Sequence, residues 1–225
     1  MQEKCVKQVY DHVMSGEIPM EIIDLAVSRI LKYKEKYNCG ESAPAPQEFY
    51  KEHLELAQTI SKDSITLYKG KLSDLSDSKI LAISTIPYRA SKAIEGTAKA
   101  KVFAQRVSEE FGADAIAFRL KPSMEDLIEV ATTADKYDTV IYATCDAQYH
   151  KEQIVLAKLL QGSNVKFIHV LLSSPYDILE MEDAGVTDMG AQLIAYEYTD
   201  SAVESVIKAL KGEYIPQGKL PVKLR

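Results

Sequence analysis

Three side chains within one short stretch could do chemistry together. Cys145, Asp146 and His150 stand in T-C-D-A-Q-Y-H, just past an apolar run and at the start of a helical one. A thiol at a helix N-terminus with an imidazole nearby is the arrangement that favours the thiolate and makes a nucleophile. The sharp turn that presents such a nucleophile wants small neighbours, as in G-x-S-x-G. Here the flanks are Thr144 and Asp146. Asp146 is equally suited to cap the next helix by accepting its first backbone N–H groups. Two readings therefore stand side by side: a small hydrolase using Cys145 and His150, or a helix cap beside a small apolar thiol. A second stretch, E-M-E-D-A-G-V-T-D, offers Glu180, Glu182, Asp183 and Asp188. Two carboxylates at a suitable separation can hydrolyse a glycosidic bond; an acidic run on a loop is otherwise a solvated face. Tyrosine is abundant at 13 and tryptophan absent, so any stacking platform for a sugar would be a tyrosine.

Other chemistries find no support. The four histidines, His12, His53, His150 and His169, are scattered, with no HExxH or paired-ligand spacing. No metal is expected. Neither GxGxxG nor GxxxxGK[ST] occurs, and no cofactor is expected. Cys5, Cys39 and Cys145 lie far apart, odd in number and without a CxxC. This reads as reduced thiols and a cytoplasmic-type composition rather than a disulfide framework. Lys plus Arg number 27 against 33 Asp plus Glu, a net charge of −6, which argues against a nucleic-acid partner. No apolar run approaches ~20 residues, so no membrane span is expected. The opening M-Q-E-K-C-V-K-Q-V-Y-D-H-V has no apolar core of a signal peptide. With 225 residues, 46% hydrophobic and 27% charged, the chain can bury a sizeable core.

The elements that must position these side chains follow from periodicity. Val6, Val9 or Tyr10, and Val13 repeat at helical spacing, Ser15-Gly16 stops that helix, and Pro19 opens the next. Ile23, Val27, Ile30 and the Tyr33/Tyr37 pair then form one apolar stripe. Residues 1–40 read as a helical segment, 41–46 (E-S-A-P-A-P) as a linker, and 47–225 as the main domain. After a helix over 47–63 come six strand-length apolar runs: 64–68, 79–85, 114–120, 138–144, 165–172 and 191–197. Helical stretches at 95–111, 123–135, 149–161 and 200–211 separate most of them. Strands that alternate with helices and are apolar nearly throughout belong to a parallel sheet covered on both faces. The expected fold is α/β: a three-layer αβα sandwich around a roughly six-stranded, mostly parallel sheet, preceded by two helices. In such sheets ligands bind beyond the carboxyl ends of the strands. That rule selects Arg89, Asp146, Tyr176 and Asp177 as candidate substrate-side residues. Asp177 is also placed to cap a short helix starting near Ile178.

The last residues, G-E-Y-I-P-Q-G-K-L-P-V-K-L-R, carry too much regular punctuation for a frayed end. Gly212 suits a helix terminus in a left-handed conformation. Pro216 and Gly218 suit a turn, and Leu220 and Val222 alternate as a short edge segment. Gly212, Pro216, Gly218, Lys219, Leu220, Pro221 and Val222 together resemble the closing G-x-x-x-P-x-G-K-L-P-V signature of glycoside hydrolase family 3. S-P-Y-D at 174–177 is similar to the loop after that family's fifth strand in the C-terminal domain. Residues 53–70 look like the segment leading into that domain, and 23–37 like the last helix of the family's N-terminal barrel. The matches run in the family's order and span nearly the whole chain. The family's nucleophilic Asp and the His-Asp dyad of its N-acetylglucosaminidase branch belong to a (β/α)8 barrel, and neither motif occurs here. The β-glucosidase branch's G-Q-E-G-G stretch is replaced by A-Y-E-Y-T-D-S-A-V-E-S, without glycine. The resemblance thus implies an accessory C-terminal domain of the β-N-acetylhexosaminidase-like branch, with no catalytic residue of its own. Its partner would be an amino-sugar glycoside, met through a barrel outside this sequence. A stand-alone α/β binding module is the alternative. On this reading the stripe of residues 1–37 was patterned to pack on a barrel; in the chain by itself it either folds back onto the α/β domain or pairs with the same stripe of a second copy, and the short, proline-stiffened linker favours the homodimer.

Overall fold

The computed structural model describes residues 2–37, 46–86 and 102–224. Arg89, Cys39 and residues 41–45 of the expected linker lie outside them. The chain divides into two compact units, Met1–Tyr50 and Lys51–Arg225.

The first unit carries two helices. Helix α1 spans Gln2–Met14 and α2 spans Met20–Lys36. Pro19 stands at the N-cap of α2, its fixed φ of −60° leading the chain into the first turn. Tyr33 and Tyr37 stack with ring centroids 6.2 Å apart. No residue of either helix is buried. Helix α3, Gln47–Ser64, runs into the second unit, and Ser61 is its one buried residue.

The second unit is the expected sandwich. Its strands are β1 (Thr66–Gly70), β2 (Ile80–Thr85), β3 (Asp114–Phe118), β4 (Thr139–Thr144), β5 (Lys166–Leu171) and β6 (Ala191–Ile194). They form one sheet in the order β1-β6-β5-β4-β2-β3. All pairings are parallel except β1 against β6. Helices α4 (Phe103–Phe111), α5 (Met124–Thr133), α6 (Glu152–Gln161), α7 (Asp177–Asp183) and α8 (Asp200–Leu210) complete it. Alternation along each strand sends side chains to two cores. Ile80, Ala82, Ile141, Ile168 and Leu193 pack with Phe103 of α4 and Val206 of α8. Leu81, Ile83, Val140, Tyr142 and Phe167 pack with Val130 of α5, Leu156 of α6 and Met181 of α7. Helices thus cover both faces, which is why β2 and β4 are buried at every position.

The differences from the sequence reading are local. The first strand begins at Thr66, because helix α3 continues to Ser64. The helix expected from 149 begins at Glu152, because Asp146 takes a left-handed φ of 54° and the chain turns before it can wind. The last strand ends at Ile194, with Tyr196 at a φ of 64° just beyond. Gly212 adopts a φ of 72° and ends α8 in the left-handed form expected of it. The expected edge segment at Leu220 and Val222 pairs with no strand. Burial does alternate along it, even-numbered residues from Tyr214 to Leu224 turning inward. Close packing replaces a ladder: the Gly218 N–H donates to Ile65 O at 3.1 Å, and a Cβ on Gly218 would stand 2.3 Å from Ser64 O.

Candidate functional site

From β2 the chain crosses to β3 on one side, whereas from β4 it runs on to β5 and β6 on the other. The carboxyl ends of β2 and β4 therefore diverge, and this reversal of strand order is where open α/β sheets place their ligands. Of the four candidates, Asp146 comes from the loop after β4, which borders this point, and Tyr176 and Asp177 from the entry to α7 after β5, one strand further out. Arg89 lies outside the described residues.

The structure joins the two loops through Asp177. Its carboxylate is fully buried. Oδ2 accepts the Ala147 N–H and Oδ1 the Gln148 N–H, each at 2.9 Å. The helix-cap role expected of Asp177 is thus not the one it plays. It is the first residue of α7, and its oxygens serve the neighbouring loop. Burial pushes its carboxyl up to about 6, against the pull of the two N–H donors and with a further push from Asp146. Asp146 does not cap α6 either. Lys151 holds the N-cap position without a side-chain bond, and Asp146 accepts from Ser173 Oγ at 2.5 Å across the same gap. A non-glycine residue in the left-handed region is strained, and the Ser173 bond holds it there. Tyr176 is 43% exposed beside it, and Tyr149, on the β4–α6 loop, 73%.

Beneath the loops runs a buried polar chain. Thr144 Oγ1 lies 3.5 Å from Asp177 Oδ2 and 2.9 Å from His169 Nε2, and His169 Nδ1 lies 3.0 Å from the Gln192 amide nitrogen. A carboxylate only accepts, so the Thr144 hydroxyl donates to Asp177 and must accept from His169 Nε2–H. That leaves Nδ1 bare, to accept from Gln192. Burial holds His169 neutral, its pKa down to about 3. Gln153, fully buried at the start of α6, plays a similar part for the backbone. Its Oε1 accepts the Cys145 N–H at 3.0 Å, and its Nε2 donates to Cys145 O at 2.9 Å and to Leu120 O at 2.8 Å. On the α4 side, Tyr198 Oη accepts the Phe103 N–H and donates to Thr85 O, both at 2.8 Å, so it ties the end of β2 to α4.

These contacts weigh against the cysteine reading. Cys145 is 5% exposed. Burial first, then the carboxylates of Asp146 and Asp177, push its thiol up to about 12. A nucleophile needs the opposite. Among the described residues no group of three or more His, Cys, Asp or Glu side chains is placed to hold a metal ion. No helix there is long and apolar enough to cross a membrane. A groove of about 740 Å³ lies elsewhere, between α3, α4 and α8. Its charges pair internally, with Arg106 on Glu204 at 2.6 Å and Lys208 on Glu204 at 3.5 Å. Sequence reasoning missed Ser173, Gln153, Thr144, His169 and Gln192. Their types are ordinary, and only the fold brings them together: register sets His169 beside Gln192, while Gln153 comes from α6 and Ser173 from the loop after β5.

No family model and no curated protein matches the sequence. Solved structures do. A glycoside hydrolase family 3 β-N-acetylglucosaminidase from Paenibacillus sp. str. FPU-7 superposes with a TM-score of 0.77 at 22% identity, over 99% of this chain and 43% of its own. A fungal multi-domain family 3 β-N-acetylglucosaminidase gives 0.66 at 17% identity, over 99% of this chain and 26% of its own. A β-glucosidase from Listeria innocua gives 0.61 at 17%, over 92% of this chain and 33% of its own. The fold is that of a segment of family 3 glycoside hydrolase chains, as the closing signature and the order of its companions implied. This chain spans between a quarter and a half of the length of these structures.

Proposed function

We propose that the chain acts as the accessory α/β domain of a family 3-type glycoside hydrolase of the β-N-acetylglucosaminidase/β-hexosaminidase-like branch. It shapes the sugar cleft of a catalytic barrel and does not catalyse alone. The observation that carries this reading is the match of 99% of this chain to only 43% of a β-N-acetylglucosaminidase. The geometry of the strand ends supports it: the carboxylates of Asp146 and Asp177 are engaged in holding loops. A sugar would meet Tyr176, Asp146 and Arg89, with Asp177 acting behind them as a positioning residue. The test is hydrolysis of a chromogenic N-acetylglucosaminide by the 225-residue chain, with and without a family 3 barrel. No turnover is expected from the chain by itself, and robust turnover would overturn the reading.

The competing hydrolase reading is tested by alkylation at neutral pH. Cys5 is exposed and Cys145 buried, so Cys5 serves as the internal reference. Cys145 is expected to react far more slowly; preferential labelling of Cys145 would revive it as a nucleophile.

A further inference from the structure

Segment 212–224 runs as a strap past the start of β1 to the carboxyl edge of the sheet. Tyr214 Oη donates to Ser205 O at 2.9 Å, and Lys62 Nζ stands 5.1 Å from the Tyr214 ring centroid. Pro216 is buried, and Gly218 is pinned on Ile65 O. Past that anchor Leu220 and Leu224, together with Tyr196, pack against the cluster that Leu171, Ile178 and Ile194 form. Leu171 and Ile194 are the last residues of β5 and β6, and Ile178, 1% exposed, is the residue after Asp177. Helix α7 has only seven residues. So short a helix takes its position from tertiary packing, not from its own propensity.

We propose that the strap sets the β4–α6 loop: Leu220 and Leu224 seat Ile178, the first turn of α7 is fixed by that contact, and Asp177 is thereby held on the Ala147 and Gln148 amides. The strap touches neither amide, yet their bonds depend on it. Because the loop carries Asp146 and Tyr149 at the strand-order reversal, the strap controls whether the surface assigned above to the sugar exists in one conformation, and in that consequence the inference rests on the proposed function. The device is a conformational one, with two discrete states of α7, seated and unseated.

Amide hydrogen exchange on the full 225-residue chain tests it, with Leu220→Ala, Leu224→Ala and the double variant. Ala147 and Gln148 are expected to exchange at least tenfold faster in the double variant, and less so in each single one. The amides of Ile83 and Ser84 in β2, remote from the strap, should be unchanged. Asp177→Asn should accelerate the same two loop amides with the strap intact. Unaltered Ala147 and Gln148 exchange in a folded double variant would overturn the proposal, as would equal acceleration at β2. Should the double variant not fold, Leu224→Ala decides by the same two criteria. No sugar enters the measurement. A failed coupling would therefore leave the glycosidase reading standing, and an inactive barrel mixture would leave the coupling standing.

Discussion

The helices of residues 2–37 and the sheet of the second unit are both rich in apolar side chains and treat them oppositely. In α1 and α2 nothing is buried, and Val6, Met14, Leu25 and Ile30 stand between 56% and 70% exposed. In the sheet, Ala82, Ile83, Val140, Ile141 and Val170 are fully buried. The same periodic signal thus has two outcomes. Periodicity says which face of an element wants covering; contact alone says whether it is covered. Among the described residues the apolar arcs of α1 and α2 stay exposed, and exposed apolar patches of this kind mark interaction surfaces in other proteins.

The contrast breaks first under truncation of large side chains. Leu156→Ala, at a fully buried position on α6, is expected to cost about 2–5 kcal/mol in denaturant unfolding. Ile30→Ala on α2, 56% exposed, should cost under about 0.5 kcal/mol. Equal losses would mean that α2 is covered within the chain.

The polar chain under the loops offers a pH test with opposing signs. Burial raises Asp177 to about 6 from its ordinary value of 3.8, so its contribution to stability is present below 3.8 and is lost as pH rises through 6. Burial lowers His169 to about 3 from 6.5, so its contribution is present above 6.5 and is lost as pH falls towards 3. Between pH 4 and 6 the two slopes oppose each other, each at most about 1.4 kcal/mol per pH unit. Thermal melts of Asp177→Asn should therefore show stability rising with pH across that window. His169→Gln should show it falling. Matching profiles in the two variants would refute the assignment.

Self-association sharpens the comparison further. The chain by itself is expected to dimerise through the exposed arc of α2, and Val27→Asp/Ile30→Asp should return it to a monomer in sedimentation across a concentration range. A parent chain that is monomeric at every concentration removes the second copy as the partner of this arc. The smallest expected effect is at the surface. Lys151 at the N-cap of α6 pairs with Glu180 of α7, their side chains 56% and 38% exposed. Glu180→Gln should change stability by less than about 0.5 kcal/mol.

The sequence made the sheet legible because its strands are short apolar runs with helices between them, and four of the five pairings are parallel. It made the strand-end position of the candidates legible for the same reason. It left the roles of Asp146 and Asp177 illegible. A carboxylate before a helical run is read as that helix's cap, whereas here the acceptors serve Ser173 and Ala147, partners 27 and 30 residues away in the chain. Long-range bonds of this kind have no local signature. The strap was half legible: its glycines and prolines announced order, and its alternation announced an inward face. That close backbone approach at Gly218 would replace strand pairing could not be read from residue types.

The antiparallel edge has a consequence in time. Among the described residues strand β1 pairs only with β6, and Thr66 meets Tyr196 across 130 residues of sequence. At about 5–20 residues per second of synthesis, β1 waits roughly 7–26 s for its partner. During that interval β2 to β5 can already zip together from neighbours close in the chain. The edge strand and the helix before it are therefore the last part of the sheet to be enrolled, although they are the first of that unit to be made.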